Sequence, residues 1–312
     1  MAAPKVIVFG PSGAVGSATA RAAHDLGAKV VLAMRDTKKP IPGLDEAKLR
    51  DGSFERVQAD LHSPDTVRDA VSSTQATRAF IYIAHRSSDN MKSTIQALKS
   101  AGIDLVVLLS SFTIQGEPED VKSSEVIPYL HAQVEINLRE VFGPGGYIAA
   151  RPGSFASNTI QYKAGFESGL VKIFAPDATV DGIAQEDIGR ACGTVLVKGP
   201  LDENTAMYLY GPQLISQADC VKTLAKVLGK SVTIETIERE EAYKQFTEQR
   251  RWPAPLAEYM IRQSGAIDPA RSLVCGYPVG AEQLSSVEKY TGKKAITFEE
   301  WAEQNKQMFI SS

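Results

Sequence analysis

Runs of apolar residues closed by glycine, proline or small polar residues recur along the first two thirds of the chain and set its predicted architecture. Val6 to Phe9 reads as a strand buried on both faces, since four apolar residues in succession leave no side for water. Further strands are read at 28–34, 54–58, 78–84, 104–109, 147–150 and 206–211. Segments with helical spacing stand between them, at 14–23, after Ser63-Pro64, and at 89–101, 125–142 and 184–197. In 125–142 the apolar stripe is Val126, Leu130, Val134, Leu138 and Val141 or Phe142, with Tyr129, His131 and Gln133 on other faces. This alternation predicts an α/β fold on a Rossmann-type doubly wound parallel sheet. The rest reads as mainly helical, at 216–228, 239–247, 256–263, 285–291 and 298–309, with one extended piece at 232–236. The expected organisation is a sheet domain over 1–153, to which 178–212 returns, and a smaller, mostly helical C-terminal substrate or lid domain from 154–177 and 213–312.

The first apolar run breaks into Gly10-Pro11-Ser12-Gly13-Ala14-Val15-Gly16 ahead of the first helix. A strand, a glycine-rich turn and a helix in that order make an anion site. Gly10 permits the tight turn, Gly13 lets the backbone approach a pyrophosphate, and Gly16 lets helix pack closely on sheet. Backbone N–H groups of Ser12, Ala14, Val15 and their neighbours then face the phosphates at the positive helix end. A glycine turn without a ligand has the same letters; the flanking strand and helix favour a dinucleotide.

Further candidates stand at the ends of later strands, where such sheets bind ligands. Arg35, with Lys38 and Lys39 behind it, favours the 2′-phosphate of NADP(H) over NAD(H), the alternative being a solvated basic turn beside Asp36. Asp60 and Leu61 are placed against the adenine, although turn chemistry accounts for Asp60 equally well. Ala84 and His85 fall at the rim, where His85 partners the diphosphate or ribose. Pro152 and Phe155 flank Gly153-Ser154 in a loop expected to pass over the nicotinamide.

At 312 residues and 33.7 kDa, with 43% hydrophobic and 23% charged residues, the chain has the make-up of an ordinary soluble enzyme. A net charge of −3 without a basic stripe argues against a nucleic-acid partner. Cys192, Cys220 and Cys275 lie far apart without paired spacing, which argues against a metal site or disulfides and for a reducing compartment. No apolar run suits a signal peptide or a membrane span. The expected setting is the cytoplasm, with a small-molecule substrate as partner and a monomer or homodimer as the assembly.

Taken in order, several stretches resemble the NmrA-like branch of the atypical short-chain dehydrogenases/reductases over nearly the whole chain. They are Gly10-x-x-Gly13-x-x-Gly16, Arg35, Ser110-Ser111, His131-Ala132-Gln133-Val134-Glu135, Arg151-Pro152-Gly153-Ser154-Phe155, Gln185-Glu186-Asp187-Ile188-Gly189 and Thr297-Phe298-Glu299-Glu300-Trp301. The resemblance implies NADP(H) as cofactor and reduction of a quinone, imine or carbonyl, often in fungal secondary metabolism. Other members of the family are cofactor-responsive regulators that have lost catalysis.

Short-chain dehydrogenases work with a serine, a tyrosine and a lysine four residues beyond it, the lysine lowering the phenol's pKa. Here His131 stands at the family's lysine position with Ile127 four residues before it, and counting from Tyr129 instead reaches Gln133. Neither register supplies the dyad. By resemblance His131 points to the nicotinamide ribose and is the candidate for proton transfer, with a functionless histidine as the alternative. Tyr129 is an unassisted phenol, and Ser111 either bonds the substrate or caps a strand end. An electrophile that needs little acid help, such as a quinone or iminium, suits this set. A redox-neutral isomerisation in the same cleft and a non-catalytic NADP sensor are the other readings. Tyr162 and Lys163 bring a phenol and an ammonium together outside the usual motif.

Overall fold

A computed structural model describes residues 4–44, 52–264 and 279–310; Cys275 lies outside the described residues. Seven strands form one sheet: β1 (Lys5–Phe9), β2 (Lys29–Met34), β3 (Phe54–Gln58), β4 (Arg78–Tyr82), β5 (Leu105–Leu109), β6 (Tyr147–Pro152) and, after two short strands, β9 (Ala206–Leu209). Their order is β3-β2-β1-β4-β5-β6-β9 and every pairing is parallel. The order reverses between β1 and β4, and a crevice opens there above the carboxyl ends of the strands.

The five central strands alternate between two apolar layers. Val6, Val8, Leu32, Phe80, Val107 and Ile148 face α1 (Ala14–Asp25) and α6 (Gln185–Lys198). Ile7, Phe9, Ala79, Ile81, Val106 and Leu108 face α2 (Pro64–Thr74), α3 (Lys92–Ser100) and α4 (Val126–Phe142). Both faces are covered, which is why the strands read as unbroken apolar runs. Gly189 and Gly193, one turn apart on α6, let it lie directly on α1. A Cβ at Gly189 would stand 2.3 Å from the Ala18 Cβ, and one at Gly193 2.7 Å from the Ala22 Cβ.

The expected stripe on α4 is shifted. Leu130 is 41% exposed, while Glu135 is 1% exposed. The carboxylate is drawn inward by Arg151 on β6, an ion pair of 2.6 Å that helical spacing alone does not reveal.

The remaining part is less purely helical than its pattern predicts. β7 (Leu170–Ile173) pairs in parallel with β11 (Thr233–Thr236), and β8 (Thr179–Val180) pairs antiparallel with β10 (Ile215–Ser216). Around them pack α5 (Lys163–Ser168), α7 (Gln217–Leu228), α8 (Arg239–Lys244), α9 (Ala254–Ser264), α10 (Ala281–Leu284), α11 (Ser286–Thr291) and α12 (Phe298–Asn305). Tyr162, Phe166, Leu224, Phe298, Trp301 and Phe309 form their core. No described helix is long and apolar enough to cross a membrane.

Candidate active site

The glycine turn has the geometry its letters predict. Gly10 has φ +68° and donates to the Ala33 carbonyl at 3.2 Å, and Gly13 donates back to the Gly10 carbonyl at 3.0 Å. A Cβ at Gly16 would lie 2.3 Å from that same carbonyl oxygen, so the turn closes only on glycine. On the open side a Cβ at Gly13 would meet nothing nearer than 3.5 Å, and Gly13 and Ala14 are exposed. Helix α1 starts with no side-chain cap and no acidic residue in its first turn, and its first intrahelical bond is donated by Ser17. The N–H groups of Ala14, Val15 and Gly16 precede that bond, an arrangement suited to an anion. Ser12 is half-buried beside them; the Val15 side chain is buried, so this residue offers only its backbone.

Tyr82 is a neighbour that the sequence did not single out. The β1–β4 register that pairs Val8 with Phe80 carries on to set Tyr82 beside Gly10, with its ring edge 2.6 Å from where a Gly10 Cβ would stand. Burial raises the Tyr82 phenol pKa, the Arg35 charge opposes this and the Asp60 carboxylate adds to it. Tyr82, Arg35 and Asp60 therefore share the corner assigned to the adenosine end.

Arg35, Lys38 and Lys39 are exposed at the end of β2, and the Asp36 carboxylate accepts from the Lys38 N–H at 2.9 Å. Asp60 accepts from the His62 N–H at 3.0 Å, the turn chemistry that was one of its two readings. Leu61 is 3% exposed and sits in the core between sheet and helices, which corrects its expected place on the adenine face. The Ala84 N–H is taken by the Met91 sulfur at 3.2 Å. His85 is exposed at the rim, followed by a loop that Asp89 organises. The Asp89 carboxylate accepts from Ser87 and from both donors of Ser93, which holds its pKa down at about 2.

His131 lies on α4, close to His85. Its Nδ1 lies 2.8 Å from the Ile127 carbonyl oxygen, so Nδ1 carries the proton and Nε2 is left as an acceptor. Burial pushes its pKa down to about 4, opposed by that hydrogen bond and assisted by nearby His85. The lowered pKa favours the neutral ring, whose Nε2 is an acceptor. Tyr129 is two residues from both Ile127 and His131, about 200° around the helix, and does not join them. The Ser111 hydroxyl bonds Thr113 at 2.9 Å in a local turn.

The adjacent Ser110 is more deeply engaged: its hydroxyl donates to Glu135, whose carboxylate is gripped by Arg151. Arg151 also donates to the carbonyls of Ile114 and Gly116 and to the Tyr208 hydroxyl at 2.7 Å. The motif residues Glu135 and Arg151 thus fasten α4, β6, β9 and the loop after β5 to one another. A second buried carboxylate, Asp181, accepts from the Ser154 N–H at 2.7 Å and the Gly211 N–H at 2.9 Å. Burial raises its pKa to about 6. It leaves no room for a side chain at Gly153, whose Cβ would stand 2.2 Å from its oxygen. Pro152 ends β6 in a buried position, and Phe155 emerges half-buried from the loop that Asp181 holds. Tyr162 is buried and donates to Gln217 at 2.7 Å in the wall of a cavity at the sheet's carboxyl edge, whereas Lys163 reaches the Ile310 carbonyl and is not among the residues lining it, so the two are not brought together as a phenol–ammonium pair.

A cavity of about 870 Å³ opens where the carboxyl edge of the sheet ends. Ile127, Ser154 and Phe155 line it on the sheet side, and Ile160, Trp252, Leu256, Met260 and Phe298 supply further apolar wall. Asn158, Gln161, Gln245, Gln249 and Arg250 are among its polar residues. The volume is that of a small-molecule site.

The sequence profile of the NmrA-like family matches residues 3–302. The nitrogen metabolite regulation-like protein bik4 of Gibberella fujikuroi is 35% identical, the match covering 96% of each chain. A (4-alkanoyl-5-oxo-2,5-dihydrofuran-3-yl)methyl phosphate reductase of Streptomyces griseus is 23% identical over 97% of this chain and 99% of its own. The crystal structure of Citrobacter sp. triphenylmethane reductase complexed with NADP(H) has the same fold, with a TM-score of 0.70 at 16% identity, covering 96% of this chain and 99% of that one. Glycine turn, switch point and profile agree, and the chain belongs to the NmrA-like family.

Proposed function

We propose that this protein is an NADP(H)-dependent oxidoreductase acting on a small, largely apolar or aromatic electrophile, a quinone, iminium or carbonyl compound. The observation that carries the reading is the cavity of about 870 Å³ opening beside the His131 anchor residue Ile127 and the Ser154-Phe155 loop. A protein that only sensed a nucleotide has no need of such a chamber. The open front of Gly13, the uncapped start of α1 and the exposed guanidinium of Arg35 fit a dinucleotide bearing a 2′-phosphate. In this reading Ser12 to Gly16 hold the diphosphate, Arg35 and Lys39 the 2′-phosphate, and Tyr82 and Asp60 flank the adenosine. His85 lies near the ribose and diphosphate, and Pro152 and Phe155 bound the nicotinamide. When bound, NADPH supplies the hydride.

His131, neutral with Nε2 free, accepts a hydrogen bond from a ribose hydroxyl, so it positions and does not donate. With Ser111 turned to Thr113 and no tyrosine–lysine dyad, protonation falls to water. Electrophiles whose reduced form is a weakly basic oxygen or amine tolerate this; hindered ketones do not. Relatives named as reductases support the same class. The second reading, a regulator that binds NADP(H) without turnover, is favoured by the absent dyad and by the relative named as regulation-like.

The test is calorimetry with NADPH and NADH, followed by NADPH oxidation with a panel of quinones and imines. Arg35→Ala is expected to weaken NADPH by about 1.5–3 kcal/mol and leave NADH nearly unchanged. Equal loss for both refutes the phosphate assignment. Tight NADPH binding with no turnover across the panel favours the regulator, and no binding of either nucleotide removes both readings.

A further inference from the structure

Arg250 stands in the wall of the substrate cavity, and its surroundings are unusual for a cation. It is half-buried, its guanidinium lies 4.8 Å from the Phe246 ring centroid and 5.0 Å from that of Trp252, and it donates to the Gln161 side-chain oxygen. Among the described residues no carboxylate lies within ion-pairing distance of it. Of the other arginines nearby, Arg239 pairs with Glu258 at 2.6 Å and Arg262 with Glu125 at 2.8 Å, while Arg251 is exposed to solvent. No aspartate or glutamate is among the described lining residues, and the cavity's other cation, Lys172, is already held by Glu241 at 2.7 Å. Burial works against the charge of Arg250, yet a guanidinium does not give up its proton. Its planar fork is fixed by two rings and an amide, with donors left over.

We infer that Arg250 is the anchor for an anionic oxygen of the substrate, so that the molecule taken up is an apolar or aromatic body bearing a carboxylate, phenolate or phosphate. The inference rests on the proposed reductase reading for what the cavity holds, but not on cofactor binding for its test. The apolar wall of Ile127, Phe155, Trp252, Leu256 and Met260 receives the body. The amides of Gln161, Gln245 and Gln249 add hydrogen bonds without adding competing negative charge. A carboxylate meeting a preformed, partly desolvated guanidinium gains two parallel charge-assisted bonds. A neutral amide of the same shape gains less.

The experiment is calorimetry on the full chain with 2-naphthoate and its neutral isostere 2-naphthamide, in the absence of nucleotide. The expected result is naphthoate binding at least about tenfold tighter than naphthamide, with the advantage shrinking as salt is raised. Arg250→Gln is expected to equalise the two ligands without changing naphthamide affinity, and Arg250→Lys to keep part of the preference. The wild-type comparison stands by itself should the glutamine variant fail to fold. Equal affinity for the two ligands in the wild type, no naphthoate binding at millimolar concentration, or a preference undiminished in Arg250→Gln overturns the proposal. A parallel titration with NADPH separates the two ideas. Loss of nucleotide binding in the wild type strikes the reductase reading alone, and intact nucleotide binding without anion preference strikes this one alone.

Discussion

Asp181 gives the sharpest test of how the loop after β6 is held. Its carboxyl is 1% exposed, faces two backbone N–H groups and has no cation beside it in the bonds it makes. Burial lifts its pKa from 3.8 to about 6. A shift of about two units is worth about 3 kcal/mol. The folded state holds the proton more tightly than the unfolded chain. Its contribution to stability is therefore full below about pH 4, declines as pH rises to about 6, and above that the fold carries the whole cost.

His131 acts in the opposite direction over nearly the same window. Its pKa falls from 6.5 to about 4, so the stability of the neutral buried imidazole is lost as pH falls through that range. The wild-type curve alone hides both effects, and the difference between wild type and Asp181→Asn isolates the carboxyl. The asparagine cannot ionise, but its amide confronts one of the two N–H donors, a loss of about 1–3 kcal/mol at every pH. Urea unfolding of both proteins between about pH 4 and pH 7 reads the gap. It should be widest at the acid end and narrow by about 3 kcal/mol toward neutrality. A gap constant to within about 0.5 kcal/mol, or one that widens with pH, would refute the reasoning.

Other outcomes follow from the same geometry. Glu135→Ala strands the Arg151 guanidinium at 3% exposure and should cost about 3–5 kcal/mol in chemical denaturation; a loss below about 1 kcal/mol would show that water relieves the charge. Gly16→Ala drives a methyl into the Gly10 carbonyl and should lower the melting temperature and weaken NADPH together, whereas an unperturbed melt with normal affinity contradicts the closed turn. Because His131 titrates at about 4, single-turnover NADPH oxidation should run flat through pH 6.5, and an inflection there would assign it a proton-transfer role after all.

The sheet was legible because its signals are local. Most strands are apolar runs closed by a breaker, and the Gly10 to Gly16 turn completes its geometry within a strand, a turn and a helix. What escaped depends on partners distant in the chain. Leu170–Ile173 becomes a strand because Thr233–Thr236, within the extended piece read at 232–236, lies beside it. Leu130 was expected inward on α4 by spacing, yet Glu135 takes the buried side because Arg151 and the Ser110 hydroxyl wait there. Leu61 and Tyr82 invert one another for a similar reason: the leucine at the end of β3 turns into the core, and the tyrosine at the end of β4 comes to lie over Gly10. Cleft position followed from strand order, whereas side-chain direction required the neighbouring layer.

The seating of α1 on α6 reaches further than the nucleotide. The first turn of α6 is tied to α1 through Glu186 and Arg21, and the Asp187 carboxylate receives the Ile296 N–H at 2.7 Å while Arg190 donates to the Lys294 carbonyl at 3.2 Å. With methyl groups and glycines meshed along the crossing, α1 has no play against its neighbour. A nick or premature stop just beyond Thr291 would leave Asp187 buried without that donor and slacken α6, the helix on which α1 is seated. Residues 294–296 thus act, through α6, as a tensioner for the glycine turn near the other end of the chain.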